Sequence, residues 1–216
     1  MAETAAPAYL NGLRAARRSP ASHLAAAFEA GSVDGTVELG EIPFQTMAGI
    51  RVDRGSAAGA RIASVTGGLP SRCGDVSGGE PGGGEGITVL WLGPSEFLAV
   101  APEDAHDTLG GDLVRALTEA LDGAEGQVVD LSANRTTFEL SGPRARDVLE
   151  KGCPLDLHPR VFRPGMALAT EIGNIPAMLL KTGEETFRVF PRASFAEFLG
   201  RWLLDAMREY ASPEVP

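Results

Sequence analysis

The sequence predicts an α+β domain made of two similar β-α-β-β-α halves packed as a pseudo-twofold pair. Three observations lead there. Short runs of alternating apolar residues are followed each time by stretches of helical period. Two patterns then recur in the same order along the chain. "GPSEFLAVAP" (93–102) and "GEETFRVFP" (183–191) both run glycine, polar turn, Phe, apolar strand, Pro. "IRVDRGSAAGARI" (50–62) and "FELSGPRARDVL" (138–149) both run strand, glycine, small helix. One such unit leaves a bare sheet face, so pairing two closes the core.

Taken in order, residues 1–20 are rich in Ala, Pro and Arg without apolar periodicity, and read as a flexible N-terminal arm. A single α+β domain follows over 21–210, with halves at about 37–121 and 126–210 and a tail at 211–216. Residues 37–52 read as extended, broken at Pro43, and "GSAAGARIASVTG" as a short helix. "SGGEPGGGEG" (77–86) is a loop. Strands at 87–93 and 96–101 join at Pro94-Ser95 as a hairpin. Asp104 opens a helix whose Leu109, Leu113, Leu117 and Leu121 share one face.

Residues 126–142 form a strand pair or one bent strand, with Phe138 and Leu140 on the same side. "PRARDVLEKG" is a short helix, with Pro143 in its first turn and Gly152 at its end. Strands near 166–173, 176–182 and 185–190 precede a last helix. Ser194 and Glu197 have the spacing of a capping box. Phe195, Phe198, Leu199, Trp202, Leu203, Ala206 and Met207 fall on its apolar stripe, which reads as core.

A net charge of −10 disfavours nucleic acid as a partner. No apolar run reaches the ~18–20 residues of a membrane span. Arg17-Arg18 is followed by Ser22, His23 and Glu29 where an export signal needs an apolar region, so a cytoplasmic protein is expected.

Cys73 and Cys153 lie in no CxxC spacing, and His23, His106 and His158 in no metal-ligand spacing. Cys153, Asp156 and His158 offer the residue types of a thiol nucleophile, an orienting acid and a base. Each of Cys153 and His158 precedes a proline, which drives it to extended geometry, and such groups normally meet from separate segments. The stretch reads as a turn with a buried thiol and a surface His. The glycine loop has no Lys, carries Glu80 and Glu85 and leads into a strand, unlike a phosphate loop. Arg144 and Arg146 read as solvated charges. The residues thus nominate no catalytic, cofactor-binding or metal site.

At "SGPRARDVLEKGCPLDLHPRVFRPG" (141–165), "TGEETFRVFPRASFAEFLGRWLLDAM" (182–207) and "RRSPASHL" (17–24), the chain resembles the gamma subunits of heterotetrameric sarcosine oxidases. The resemblance omits the first fifteen residues and the glycine loop. Those subunits look like shortened relatives of the glycine-cleavage aminomethyltransferases, and Asp130, Ser132 and Gly142 match the latter's Asp-x-Ser, strand, Gly, helix pattern. The resemblance implies an aminomethyltransferase folate-binding-domain-like fold. It implies a non-catalytic subunit partnered by alpha, beta and delta chains, chiefly the large alpha. FAD, FMN, NAD, tetrahydrofolate and zinc would sit on those partners, with none on this chain.

The complex would demethylate sarcosine to glycine, forming hydrogen peroxide and 5,10-methylenetetrahydrofolate. Two alternatives stay open. One is a subunit of a related N-methyl amino acid oxidase or dehydrogenase, for N-methylglutamate as an example. The other is a minimal folate-dependent aminomethyltransferase using Asp130, or Glu185 of the Glu184-Glu185 turn, as its acid.

Overall fold

Pro43 does break the first extended segment, and the two strands it creates go to different sheets. A computed structural model describes residues 16–79, 86–103 and 112–211. The Asp104 helix start, Leu109, His106, the loop centre at 80–85, residues 1–15 and the tail from 212 lie outside these.

Helix α1 (Ala25–Gly31) precedes strands β1 (Glu38–Ile42) and β2 (Thr46–Arg51), helix α2 (Ala57–Thr66), strands β3 (Val76–Gly78), β4 (Thr88–Gly93) and β5 (Glu96–Ala101), and helix α3 (Asp112–Leu121). Strands β6 (Gln127–Asp130) and β7 (Thr137–Ser141), helix α4 (Ala145–Glu150), strands β8 (Ala167–Ile172), β9 (Ile175–Lys181) and β10 (Thr186–Pro191), and helix α5 (Ala196–Ala211) complete the chain. One sheet has the order β1-β7-β10-β9-β8 and the other β3-β4-β5-β2-β6, with antiparallel pairing throughout.

Three expectations need correction. The first half carries an extra strand, β3, so Ser77 and Gly78 belong to a sheet rather than to the loop. Its three residues, two of them small, give no periodic signal. Residues 126–142 form two strands that do not pair with each other. Here β6 adds to β2, and β7 lies between β1 and β10. Each sheet therefore takes one edge strand from the other half of the sequence. Finally, no capping box opens α5. A 3₁₀ turn over Ala193–Phe195 enters the helix, Ser194 sits inside that turn, and Glu197 instead meets Arg201 at 3.1 Å.

Side-chain alternation along the strands sorts the core into three layers. Leu24, just before α1, and Phe28 of α1 pack with Phe138, Leu140, Leu179, Phe187, Val189 and the Leu199/Leu203/Met207 stripe of α5 on one outer face. Ile62 of α2 and Leu113, Leu117 and Leu121 of α3 cover Ile50, Val89, Phe97 and Ala99 on the other. The odd-even partners of these strand residues point the opposite way. Met47, Leu90, Leu98 and Val100 of one sheet meet Ala167, Met178, Leu180 and Phe190 of the other. The molecule is thus a helix–sheet–sheet–helix sandwich. Each fully buried Phe or Leu contributes about 1.5–3 kcal/mol through area removed from water.

Local chemistry agrees with this packing. Ser56 caps α2 by accepting from the Gly59 N–H at 3.0 Å, and Gly67 closes it with φ of 78°. The Trp202 ring lies against Gly152 and Gly173, where any Cβ would come within 3 Å of the ring. The end of the expected mobile arm is docked. Ser19 donates to Glu41 Oε2 at 2.6 Å, the Ala21 N–H to Glu41 Oε1 at 3.1 Å, and the Arg17 guanidinium stacks 4.5 Å from the centre of the Phe44 ring. Glu41 supplies acceptors that composition alone could not assign.

Candidate functional site

The Cys-Asp-His stretch folds as the turn that its prolines dictate. Cys153 is buried beneath α4, with Sγ 3.6 Å from Thr170 Oγ1 on β8. Asp156 Oδ1 accepts the His158 N–H at 2.9 Å, and His158 Nδ1 accepts the Arg160 N–H at 3.2 Å. Both polar groups are thereby used to hold the turn. No hydrogen bond joins Cys153 to His158 among the described residues.

The residues of the Asp-x-Ser, Gly pattern are equally engaged. Asp130 Oδ1 accepts the Ser132 N–H at 2.9 Å, and Ser132 Oγ accepts the Met47 N–H at 3.0 Å. That staple ties the end of β6 to the start of β2. Gly142 adopts φ of 106° and donates its N–H to Glu185 O at 3.0 Å. A Cβ there would stand 2.5 Å from Thr36 O. Glu184 and Glu185 are exposed in the β9–β10 turn. Glu184 lies 3.9 Å from the Lys181 ammonium, a residue only 1% exposed that also donates to Phe162 O at 3.3 Å. Lys181 had no sequence signal, because it follows an apolar strand and reads as its exposed end.

Arg144 and Arg146 pair with Asp147 and Glu150 on α4. Beside them, burial and then Glu209 push the Tyr210 hydroxyl up to about 12. Among the described residues, no group of three or more His, Cys, Asp or Glu is placed to hold a metal ion.

A cavity of about 250 Å³ opens where the sheets meet, lined by Gln45, Thr88, Val100, Leu180, Arg188 and Phe190 among others. Two of its polar residues have side-chain partners. Arg188 Nε donates to Glu139 Oε2 at 2.8 Å, and Thr137 Oγ1 donates to Gln45 Oε1 at 2.6 Å. The volume is below the ~300–1,000 Å³ of pockets that enclose drug-sized ligands.

A different cluster has unmet demand. Arg135 and Arg192 form an isolated antiparallel bridge, and Arg135 Nη1 donates to Phe190 O at 2.9 Å. Arg135 Nε is buried with no hydrogen-bond partner among the described residues. Phe195 and Phe198, one turn beyond Arg192, are 38% and 54% exposed, so the expected core stripe of α5 breaks at its first two rings.

The fold can now be placed. It is similar to that of aminomethyltransferase T from Bartonella henselae, with a TM-score of 0.58 at 15% identity over 84% of this chain and 48% of that one. That likeness defines the fold class alone. Residues 60–209 match the model of the sarcosine oxidase gamma subunit family. Similar proteins include the sarcosine oxidase subunit gamma of an Arthrobacter species, 52% identical over 92% of this chain and 94% of that one. The corresponding protein of Corynebacterium strain P-1 is 51% identical over the same shares. A chain of the heterotetrameric sarcosine oxidase from Corynebacterium U-96, solved with pyrrole 2-carboxylate, matches with a TM-score of 0.85. The two are 48% identical over 93% of this chain and 99% of that one. The chain belongs to the sarcosine oxidase gamma subunit family.

Proposed function

We propose that the chain is the non-catalytic gamma subunit of a heterotetrameric sarcosine oxidase. The observation that carries this reading is the end-to-end match, in sequence and fold, to a chain of the heterotetrameric Corynebacterium enzyme. The complex would oxidatively demethylate sarcosine to glycine, with formation of hydrogen peroxide and 5,10-methylenetetrahydrofolate. Alpha, beta and delta subunits would be the partners, and would carry FAD, FMN, NAD, tetrahydrofolate and zinc. This chain would pack chiefly on the large alpha subunit.

The local chemistry supports that division of labour. The residue types able to do chemistry are used elsewhere: Cys153 in packing, Asp156 and His158 in a turn, Asp130 in a strand-end staple. The common strand order of the two sheets, each with an exchanged edge, further supports a pseudo-twofold relation between the halves.

Calorimetric titration of the isolated chain with tetrahydrofolate tests the reading. No saturable heat is expected. Stoichiometric binding in the micromolar range would favour a folate-dependent aminomethyltransferase with Asp130 or Glu185 as acid.

A further inference from the structure

Among the described residues, the junction of β10 and α5 is the place where unsatisfied charge and exposed aromatic surface coincide. The backbones of Arg135 and Arg192 face each other, and the Ala193 N–H donates to Asn134 O at 2.8 Å, so the two segments are fastened together. The Phe195 N–H donates to Arg192 O at 2.9 Å, which places Phe195 one turn from Arg192. Phe198 follows one helical turn later.

No carboxylate among the described residues pairs with Arg135 or Arg192, although the chain has 29 acidic residues against 19 basic ones. Glu197, the acid closest in sequence to Arg192, is committed to Arg201 and to His23, and Glu139, the acid closest to Arg135, is committed to Arg188. Burial, and then the charge of Arg192, both disfavour a charged Arg135. Leaving a buried guanidinium N–H unpaired costs more than an ordinary missing bond, and two adjacent cations add repulsion. An incoming carboxylate would offset the repulsion between the two cations.

We propose that this face receives a partner subunit, through a segment that sets a carboxylate between Arg135 and Arg192 and an apolar side chain over Phe195 and Phe198. The proposal rests on the reading of the chain as a subunit of a heteromeric oxidase. A free inorganic anion would answer the charge and leave the rings wet. A polypeptide that carries a carboxylate beside an apolar anchor answers both. Arginine and aromatic residues are also the types that concentrate binding energy at the centres of interfaces.

The test uses the complete complex, co-expressed with the other subunits. Arg135→Gln combined with Arg192→Gln, and separately Phe198→Ser, should lower retention of the chain in the complex at least tenfold. Arg54→Gln, on an exposed turn far along the sequence, should not. A second measurement needs no loss of binding. In complexes carrying Phe198→Cys or Arg54→Cys, maleimide labelling resolved by site should be at least tenfold slower at 198. Retention within twofold for every variant, or equal labelling rates, overturns the proposed face and leaves the subunit reading standing. Failure of the unsubstituted chain to co-purify with any other subunit overturns that reading, and this face with it.

Discussion

Gly142 is required by backbone geometry at a position where a motif would otherwise suggest chemistry. Its φ of 106° is unfavourable for any side chain, and a Cβ would meet the Thr36 carbonyl at 2.5 Å. Gly142→Ala should therefore destabilise the fold by about 1–3 kcal/mol or more, measured as a lower urea midpoint with an unchanged slope. A midpoint equal to that of the parent would show that the turn can relax. Tyr210 makes a second prediction at this scale. Its hydroxyl is pushed from the ordinary tyrosine value of 10.0 up to about 12, by burial first and then by Glu209. The folded state thus holds this proton more tightly than the unfolded one. The contribution to stability is complete below pH 10 and is lost as pH rises through about 12. In a Tyr9→Phe background, phenolate absorbance should show Tyr210 still mostly protonated at pH 11. A midpoint near 10 would contradict the burial argument.

Strand exchange governs behaviour at the scale of elements. Strand β1 completes the sheet of β7–β10, and β6 completes the sheet of β2–β5. Fragments 37–121 and 126–210 should accordingly stay unfolded when expressed separately, each with an edge position unfilled, and gain circular-dichroism signal only when mixed. A cooperative melt from either fragment alone would show that the exchanged strand is dispensable. This exchange was not legible in the sequence. Periodicity located β4, β5 and β8–β10 to within a residue or so and set β1 and β2 on either side of Pro43, because their alternating faces must satisfy two cores at once; β7 was bounded only within 126–142. It says nothing about which strand pairs with which, since pairing depends on contacts distant in sequence. The same limit hid α1, whose Leu24 and Phe28 lie among alanines, and β3, which is too short to repeat.

At the scale of the whole molecule, the four-layer fold uses Cys153 in packing, Asp156 and His158 in a turn and Asp130 in a strand-end staple. That the Cys153–His158 stretch folds as a turn was legible from Pro154 and Pro159 alone. The Arg135/Arg192 pair was not, because "SANRTTF" gives no hint that its arginine lands beside another fifty-seven positions on. The central claim is that the chain supports the oxidase without entering its chemistry. Its most direct test is sarcosine turnover by the intact complex carrying Cys153→Ala, His158→Ala, Asp130→Asn and Glu185→Gln together. The substitutions should cost stability through lost packing and turn bonds, on the order of 1–2 kcal/mol at Cys153. The account predicts turnover per assembled complex within about twofold of the parent, whereas a loss of ~100-fold, about 2.7 kcal/mol in the barrier, with the complex still assembled would contradict it.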